Sequence, residues 1–328
     1  MLSEKGRALW LLAFMSPVIA ELMSGSSPPL EFFNPLSLAL LLGLYGSGVL
    51  IVRELAVIWN RGWTSIVTMG AAYGILEEGV AVKSFFDPNW MDLGGLGVYG
   101  RFLGTNWVWA VWLTVFHSVI SITLPILILS ILYPNLKSTR LLTGDRLYVV
   151  SIFLLLDVLV CTLLLNPYVP LWSMYMLAIA AVFGLVYYAK HLPKSLMAPK
   201  TLTPTWGPFK FFLLGIVLTL GNFFFAGLFV ETAIPPIVPI VIILCLCAYG
   251  MVMIHEHIGA SENRTQIVGL ISGLMFFLVL FGVALQFSGI FGMGILASIE
   301  ALILVDLNLW ARGKKVLVFR VGRLLHGA

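Results

Sequence analysis

The chain has 328 residues, of which 60% are hydrophobic and only 10% are charged. A soluble domain carries about 25% charged residues because its surface faces water, so this composition excludes an ordinary water-soluble protein. The formal charge of +4 comes from basic residues in short loops between apolar runs, which excludes the continuous basic stripe of a nucleic-acid-binding protein. We therefore expect the lipid bilayer as a partner and no nucleic acid.

Apolar runs long enough to cross the hydrocarbon core, which takes about 20 residues, recur along the chain. They predict an all-α, polytopic transmembrane helical bundle of about ten spans. The predicted spans are 8–23, 35–59, 62–82, 106–132, 147–165, 171–189, 211–230, 236–254, 266–287 and 291–310. Residues 1–134 supply four helices with the candidate polar site and an outer loop, and residues 135–328 complete one membrane domain with six helices.

Lysine and arginine concentrate in alternate loops, which predicts the orientation because short cytoplasmic loops are enriched in these residues. Lys5 and Arg7 precede the first span, and basic loops follow spans 2, 4, 6, 8 and 10. The other loops are neutral or acidic, except for a long loop of mixed charge over 83–105. We predict a multi-pass protein of the cell membrane with both termini in the cytoplasm.

The third span carries two adjacent acids, Glu77 and Glu78, after the glycines Gly70 and Gly74. Glycines four residues apart permit close helix contact, and the carboxylates follow on the same face, so they should point into protein. Two neighbouring acids in a low dielectric repel each other, so one should bind a proton or a cationic partner. This arrangement favours proton transfer, and the alternative is an interfacial acidic pair at the outer end of the helix.

The fourth span places Asn106 and His117 on one face, with His117 about 16 Å below Asn106 and near the bilayer centre. A histidine at that depth requires a partner. It could be a proton relay or a general base near neutral pH. Alternatively, it could be a hydrogen-bonded residue that fixes the packing of helices.

Other ionisable residues of the predicted spans are further candidates for a substrate or proton path, because such residues are unfavourable in lipid. Asp157 and Glu300 fall near mid-membrane, and Glu21 lies at the outer end of the first span. The outer loop is rich in glycine and is predicted to be a lid or a re-entrant segment. Its Arg101 could pair with the acids of the third span or with a substrate anion.

The paired glutamates of the third span and the Phe116-His117 dipeptide of the fourth resemble the CAAX-protease and bacteriocin-processing (CPBP) intramembrane family. The family chemistry implied is activation of water by a glutamate and histidines for peptide hydrolysis. The resemblance therefore implies Glu77, Glu78 and His117 as catalytic residues. It covers spans 3 and 4 only. The EExxxR pattern of the family would need arginine at Val82, and its later HxxxN helix has no counterpart here.

Three functions remain open from the residues. The first is a permease or a proton- or ion-coupled transporter of an unidentified small solute. The second is an intramembrane hydrolase or lipid-modifying enzyme that uses the Glu/His site on a lipid-like substrate. The third is a non-catalytic subunit of a membrane complex. We expect no cofactor and no metal, because His255-Glu256-His257 lacks the HExxH spacing and all three cysteines lie within apolar runs.

Overall fold

The computed structural model describes residues 3–261, 263–314 and 316, and most of these residues are helical. Helices suit an apolar chain because each one satisfies its backbone hydrogen bonds within a single segment. The α-helices of the described residues are α1 (Glu4–Pro17), α2 (Pro29–Phe32), α3 (Pro35–Leu41), α4 (Ser47–Ile58), α5 (Trp63–Gly74), α6 (Trp107–Phe116), α7 (Leu124–Leu132), α8 (Arg146–Val160), α9 (Trp172–His191), α10 (Pro208–Leu228), α11 (Ile237–His257), α12 (Arg264–Phe287) and α13 (Met293–Ala311). The predicted all-α class is confirmed.

Short elements lie in the loops. Two 3-10 turns cover Gly94–Gly97 and Pro134–Leu136. A small antiparallel hairpin joins β1 (Arg101–Phe102) to β2 (Thr105–Asn106), with Arg101 opposite Asn106 and Phe102 opposite Thr105. The outer loop thus has an ordered fold of its own.

Several helices widen into π-helical turns, whose backbone hydrogen bonds run from residue i to i+5. The π-helical segments of the described residues are Val18–Leu22, Leu42–Gly46, Ile75–Ala81, His117–Thr123 and Cys161–Leu165. Such turns are rare and occur frequently at functional sites. Glu77 and Glu78 lie in one seven-residue segment and His117 begins the other. Backbone geometry therefore marks the same region as the chemistry of the side chains.

Within the described residues, eight helices are long and apolar enough to cross a membrane. They are Pro35–Ile58, Trp107–Leu132, Arg146–Leu165, Trp172–His191, Pro208–Leu228, Ile237–His257, Arg264–Phe287 and Met293–Ala311. The predicted spans 8–23 and 62–82 also form helices, but charged residues at the start of α1 and in the π-segment after α5 make both less apolar. The chain is a multi-pass membrane protein, while the count of ten and the cytoplasmic termini remain predictions.

The chain divides into two compact units. The first unit contains the residues up to Ala20, Asn34–Ala198 and Asn222–Cys247. The second unit contains Glu21–Phe33, Pro199–Gly221 and the described residues from Ala248 onward. The sequence predicts a division at residue 134, which does not coincide with the boundaries of these two units. That division remains a prediction.

Helix α5 lies in the core of the first unit, where it packs against α4, α6, α9 and the π-segment His117–Thr123. Its glycines permit this contact. A Cβ atom on Gly70 would lie 2.8 Å from the carbonyl oxygen of Ser118, and one on Gly74 would lie 2.9 Å from Cβ of His117. The predicted close approach through Gly70 and Gly74 is confirmed, and it brings the acids that follow α5 to the level of His117.

The second unit is built around α12 and α13, which pack against each other. They are joined by a turn in which Gly289 and Gly292 both have φ +91°, a backbone conformation that favours glycine. Helix α10 approaches α12 equally closely, because a Cβ atom on Gly215 would lie 2.7 Å from the backbone of Gly273. Thr219 Oγ1 also donates to the carbonyl of Leu274 at 3.1 Å. Small residues therefore set the helix spacing in this unit.

Candidate functional site

Glu77, Glu78 and His117 converge in the first unit. Nδ1 of His117 lies 3.1 Å from Oε2 of Glu77, and Nε2 lies 3.0 Å from Oε1 of Glu78. The three residues are only 4%, 9% and 2% exposed, so bulk water does not screen their charges. The imidazole therefore bridges two carboxylates, one at each ring nitrogen.

Hydroxyl groups complete both ends of this bridge. Tyr45 donates a short hydrogen bond to Oε1 of Glu77, and Ser84 donates another to Oε2 of Glu78. The hydroxyl of Ser84 in turn accepts from the indole N–H of Trp109 at 3.0 Å. The result is a continuous row of polar groups from Tyr45 to Trp109, which we call the polar row, with all of its members buried.

Aromatic rings surround the bridging imidazole. The ring centroids of Tyr45, Tyr73 and Phe116 lie 6.0, 6.4 and 5.3 Å from that of His117. Ser121, one turn after His117, places its hydroxyl 2.9 Å from Nδ1. This shell holds the ring in place and keeps the local dielectric low, which strengthens each electrostatic contact inside it.

The same geometry suits a metal ion. Each of Glu77, Glu78 and His117 offers a ligand atom, and these atoms all lie within 4.8 Å of one another. Carboxylate and imidazole ligands are typical of zinc and of other divalent transition metals. The expectation of no metal therefore remains a prediction.

Comparison with known proteins places the chain in a family. Residues 10–321, nearly the whole chain, match an uncharacterized membrane protein family. The chain belongs to this family. The match gives no support to the resemblance to CPBP intramembrane proteins that the glutamate pair suggested. No curated protein and no solved structure matches the chain.

In this family member, Lys83 holds the segment that carries the acids in place, and nothing in its loop sequence marks it as part of the site. Its ammonium group donates to the carbonyl oxygens of Thr162, Asn166 and Tyr168 at 2.9, 2.5 and 2.9 Å. Burial lowers the pKa of Lys83, and nearby Asp87 opposes that shift. Lys83 thus fixes the end of the π-segment that carries the acids against the last turn beyond α8.

The C-terminal half of α4 has a separate ion cluster around the buried Glu54. The carboxylate of Glu54 accepts from Arg53 at 3.2 Å, from Arg140 at 3.0 Å and from the backbone N–H of Leu141 at 3.0 Å. A second guanidinium N–H of Arg53 donates to the carbonyl of Leu136. Three of these four contacts, those with Leu136, Arg140 and Leu141, tie the segment after α7 to α4, so this cluster fastens a loop.

Arg101 and Asn106 lie in the hairpin of the outer loop and bond within it or to its neighbours. The guanidinium of Arg101 donates to the carbonyls of Phe86, Gly97 and Gly104 at 2.7, 3.1 and 3.3 Å, so the expected pairing with the acids of the third span is not formed. Asn106 caps α6 by accepting from the N–H of Trp109 at 3.0 Å, and its amide donates to the carbonyl of Leu96. Their placement in a substrate or proton path remains a prediction.

Asp157 lies in the first unit on α8 and is largely buried. A Cβ atom on Gly43 would lie 2.8 Å from its Oδ1, so glycine is what makes room for the carboxyl group. Its Oδ2 has no hydrogen-bond partner among the described residues. Helix α8, which carries Asp157, packs against the π-segment Leu42–Gly46, which contains Tyr45. Asp157 is therefore a third buried acid near the polar row, in addition to Glu77 and Glu78.

Glu21 and Glu300 belong to the second unit. Glu21 accepts a hydrogen bond from Ser27 at 2.8 Å, within the turn that follows α1. Glu300 is almost completely buried on α13, and its Oε1 has no hydrogen-bond partner among the described residues. For both residues, a role in a substrate or proton path stays a prediction.

Proposed function

We propose that the protein is a proton-coupled transporter of a small solute, in which Glu77, His117 and Glu78 pass the coupling proton. The polar row carries this proposal. It places groups that can both give and take a proton next to one another in a membrane protein, at ion-pair distance between Glu77 and His117 and in hydrogen-bond contact at the other steps. Buried ionisable residues in membrane proteins commonly mark proton and ion paths.

The two ring nitrogens of His117 define the route of the proposed transfer, because a proton enters at one nitrogen and another leaves from the other. A protonated Glu77 passes its proton to Nδ1 while Nε2 already carries one, and the ring becomes an imidazolium. The ring then releases the Nε2 proton to Glu78 and is left neutral with its proton on Nδ1, where the Ser121 hydroxyl also lies within hydrogen-bond distance. One proton has entered and another has left, without rotation of the ring.

The charge balance of the site links the proton to a solute. Two carboxylates and one imidazolium carry a net charge of −1, which a buried site of low dielectric disfavours. Binding of a second proton or of a cationic group restores neutrality. Solute and proton would therefore influence each other's affinity, which is the thermodynamic requirement for coupling.

The direct test uses full-length protein in sealed proteoliposomes with a pH-sensitive dye inside. A panel of amines, amino acids, sugars and inorganic cations is added outside, and solute-dependent change in internal pH is recorded. We expect Glu78→Gln and His117→Gln to lower the coupled proton flux about a hundredfold, because each removes one proton-transfer partner. Glu231→Gln, an exposed acid, is the matched control and should behave as wild type.

Folding of each variant is checked by size-exclusion profile and unfolding midpoint. If folded Glu78→Gln and His117→Gln proteins retain wild-type flux, the proposal is wrong. It is also wrong if wild-type protein moves neither solute nor proton across the whole panel.

The second candidate is an intramembrane hydrolase, and one observation favours it. The ligand atoms of Glu77, Glu78 and His117 lie close enough to hold a metal ion or to activate one water molecule between a carboxylate and an imidazole. The two candidate functions are distinguished by whether activity requires a sealed vesicle. An enzyme would convert membrane peptides or lipids in open nanodiscs, as measured by mass spectrometry, whereas a transporter requires a closed compartment.

A further inference from the structure

The second unit carries a groove of about 250 Å³ along α10 and α11, well apart in sequence from the polar row. Its lining residues are Trp206, Lys210, Leu213, Leu214, Val217 and Tyr249. The four that α10 supplies are spaced i, i+3, i+4 and i+7, so they share one face of the helix. From Lys210 to Val217 the groove follows the helix for about 10 Å.

One end of the groove is cationic. The ammonium group of Lys210 lies 5.6 Å from the centre of the Trp206 ring, and Trp206 stacks on His257 with a centroid distance of 4.2 Å. The hydroxyl of Thr205 lies 2.7 Å from Nδ1 of His257, which fixes this stack. The side chain of Lys210 is exposed, and among the described residues no carboxylate lies within ion-pair distance of its ammonium group.

The rest of the groove is apolar and open. Leu213, Val217 and Tyr249 are each between 44% and 49% exposed, although they lie on helices that are long and apolar enough to cross a membrane. Next to these residues along the chain, α10 and α11 pack closely, because a Cβ atom on Gly250 would lie 2.7 Å from a methyl group of Leu218. The groove is therefore an apolar trough between closely packed helices, with a cation at one end.

We infer that this groove binds an anionic phospholipid, with the phosphate at Lys210 and the upper part of one acyl chain along Leu213 and Val217. The positive charge of Lys210 favours an anionic headgroup, since an exposed lysine at a membrane surface attracts anionic lipids. The apolar trough favours a lipid over a free phosphate, because a phosphate alone would leave Leu213 and Val217 exposed to water. Trp206 adds an aromatic ring of the kind that lies at the headgroup level. This inference does not depend on the proposed transport function.

The test titrates phosphatidylglycerol into full-length protein in a neutral detergent and counts bound lipids by native mass spectrometry. We expect Lys210→Gln to weaken phosphatidylglycerol binding about fivefold, the effect of one basic residue near an anionic membrane surface. Leu213→Trp fills the trough without changing the charge and should weaken binding at least as much.

Lys190→Gln is the matched control, because Lys190 also lies over a tryptophan ring, 5.7 Å from the centre of Trp59. It should bind phosphatidylglycerol as wild type does. Equal losses in Lys210→Gln and Lys190→Gln would mean general surface attraction and would overturn the inference. Wild-type binding of phosphatidylcholine with the same affinity, or competition by inorganic phosphate at the concentration of the lipid, would overturn it as well.

Discussion

Glu77 and Glu78 are adjacent in sequence, yet their environments differ at every contact. Glu77 faces Nδ1 of His117 and accepts from Tyr45, while Glu78 faces Nε2 and accepts from Ser84. A wide π-turn makes this possible, because it lets neighbouring residues reach the same ring from two sides. In the transfer proposed above, one member of the pair would therefore donate a proton to the imidazole and the other would accept one from it.

Tyr45→Phe tests the Glu77 end of the polar row. The change keeps the ring but removes the O–H that Glu77 accepts, so a buried carboxylate loses a charge-assisted hydrogen bond. We expect a loss of about 1.5–3 kcal/mol in the free energy of unfolding, with reduced proton flux. Tyr188→Phe, at an exposed tyrosine, is the control and should change neither measurement. An unchanged unfolding midpoint in Tyr45→Phe would show that the bond contributes nothing.

Asp157→Asn separates a proton path from a packing role. The amide has the shape of the carboxyl group but cannot ionise, and Oδ2 of Asp157 has no hydrogen bond to lose among the described residues. We expect the unfolding midpoint to hold or rise, because an unsatisfied buried carboxyl is unfavourable. Proton flux should fall. Asp145→Asn, at an exposed acid just before the same helix, is the control, and undiminished flux in Asp157→Asn would remove Asp157 from the path.

At the scale of elements, the contact between α5 and the helix of His117 decides whether the site forms. Gly70 and Gly74 provide that contact, and the sequence predicted it from their spacing. The sequence did not predict the π-segments. A segment of at most seven residues is too short to show the spacing of apolar residues that would distinguish a π-helix from an α-helix. They arise where side-chain contacts outweigh the loss of regular helical hydrogen bonds.

Gly74→Ala tests this helix contact. The added methyl group would lie 2.9 Å from Cβ of His117 and must push the helices apart. We expect a loss of about 1–3 kcal/mol in stability, typical of overpacking, and a larger loss of proton flux because Glu78 moves away from the ring. Gly184→Ala on α9 meets open space and should be neutral or stabilising. Equal flux in the two alanine variants would contradict the role given to Gly74.

Lys83→Met tests the anchor beyond the π-segment that carries the acids. Methionine has a similar length and no charge, so three carbonyl oxygens, one of them in a buried contact, lose their shared donor. We expect a stability loss of at least about 2 kcal/mol by thermal unfolding. Lys194→Met removes an exposed lysine that bonds to Asn60 and should cost much less. Similar losses in both variants would contradict the anchor.

For the whole molecule, the open question is whether α5 and its π-segment cross the membrane. The alternating loop charges predict that they do, so Asn60 and Asn89 should lie on opposite sides. Single cysteines at these exposed positions, introduced after replacement of the three native cysteines, can be labelled in sealed vesicles with an impermeant maleimide. We expect Asn89→Cys to react only from outside and Asn60→Cys only from the cytoplasmic side. Labelling of both from one side would reduce the number of spans.

The sequence by itself determined the class of protein and the residues of interest. Apolar run length and scarcity of charge are properties of composition, and a buried acid or histidine in such a run is conspicuous wherever it occurs. This is why Glu77, Glu78 and His117 stand out in the sequence as candidates, before their convergence is known. Only the tertiary structure decided that Tyr45 and Ser84 complete the polar row, that Lys83 anchors it and that Arg101 bonds to its own loop instead. Those contacts join residues on different segments of the chain, and the period of a single helix does not specify which groups of another segment will meet it.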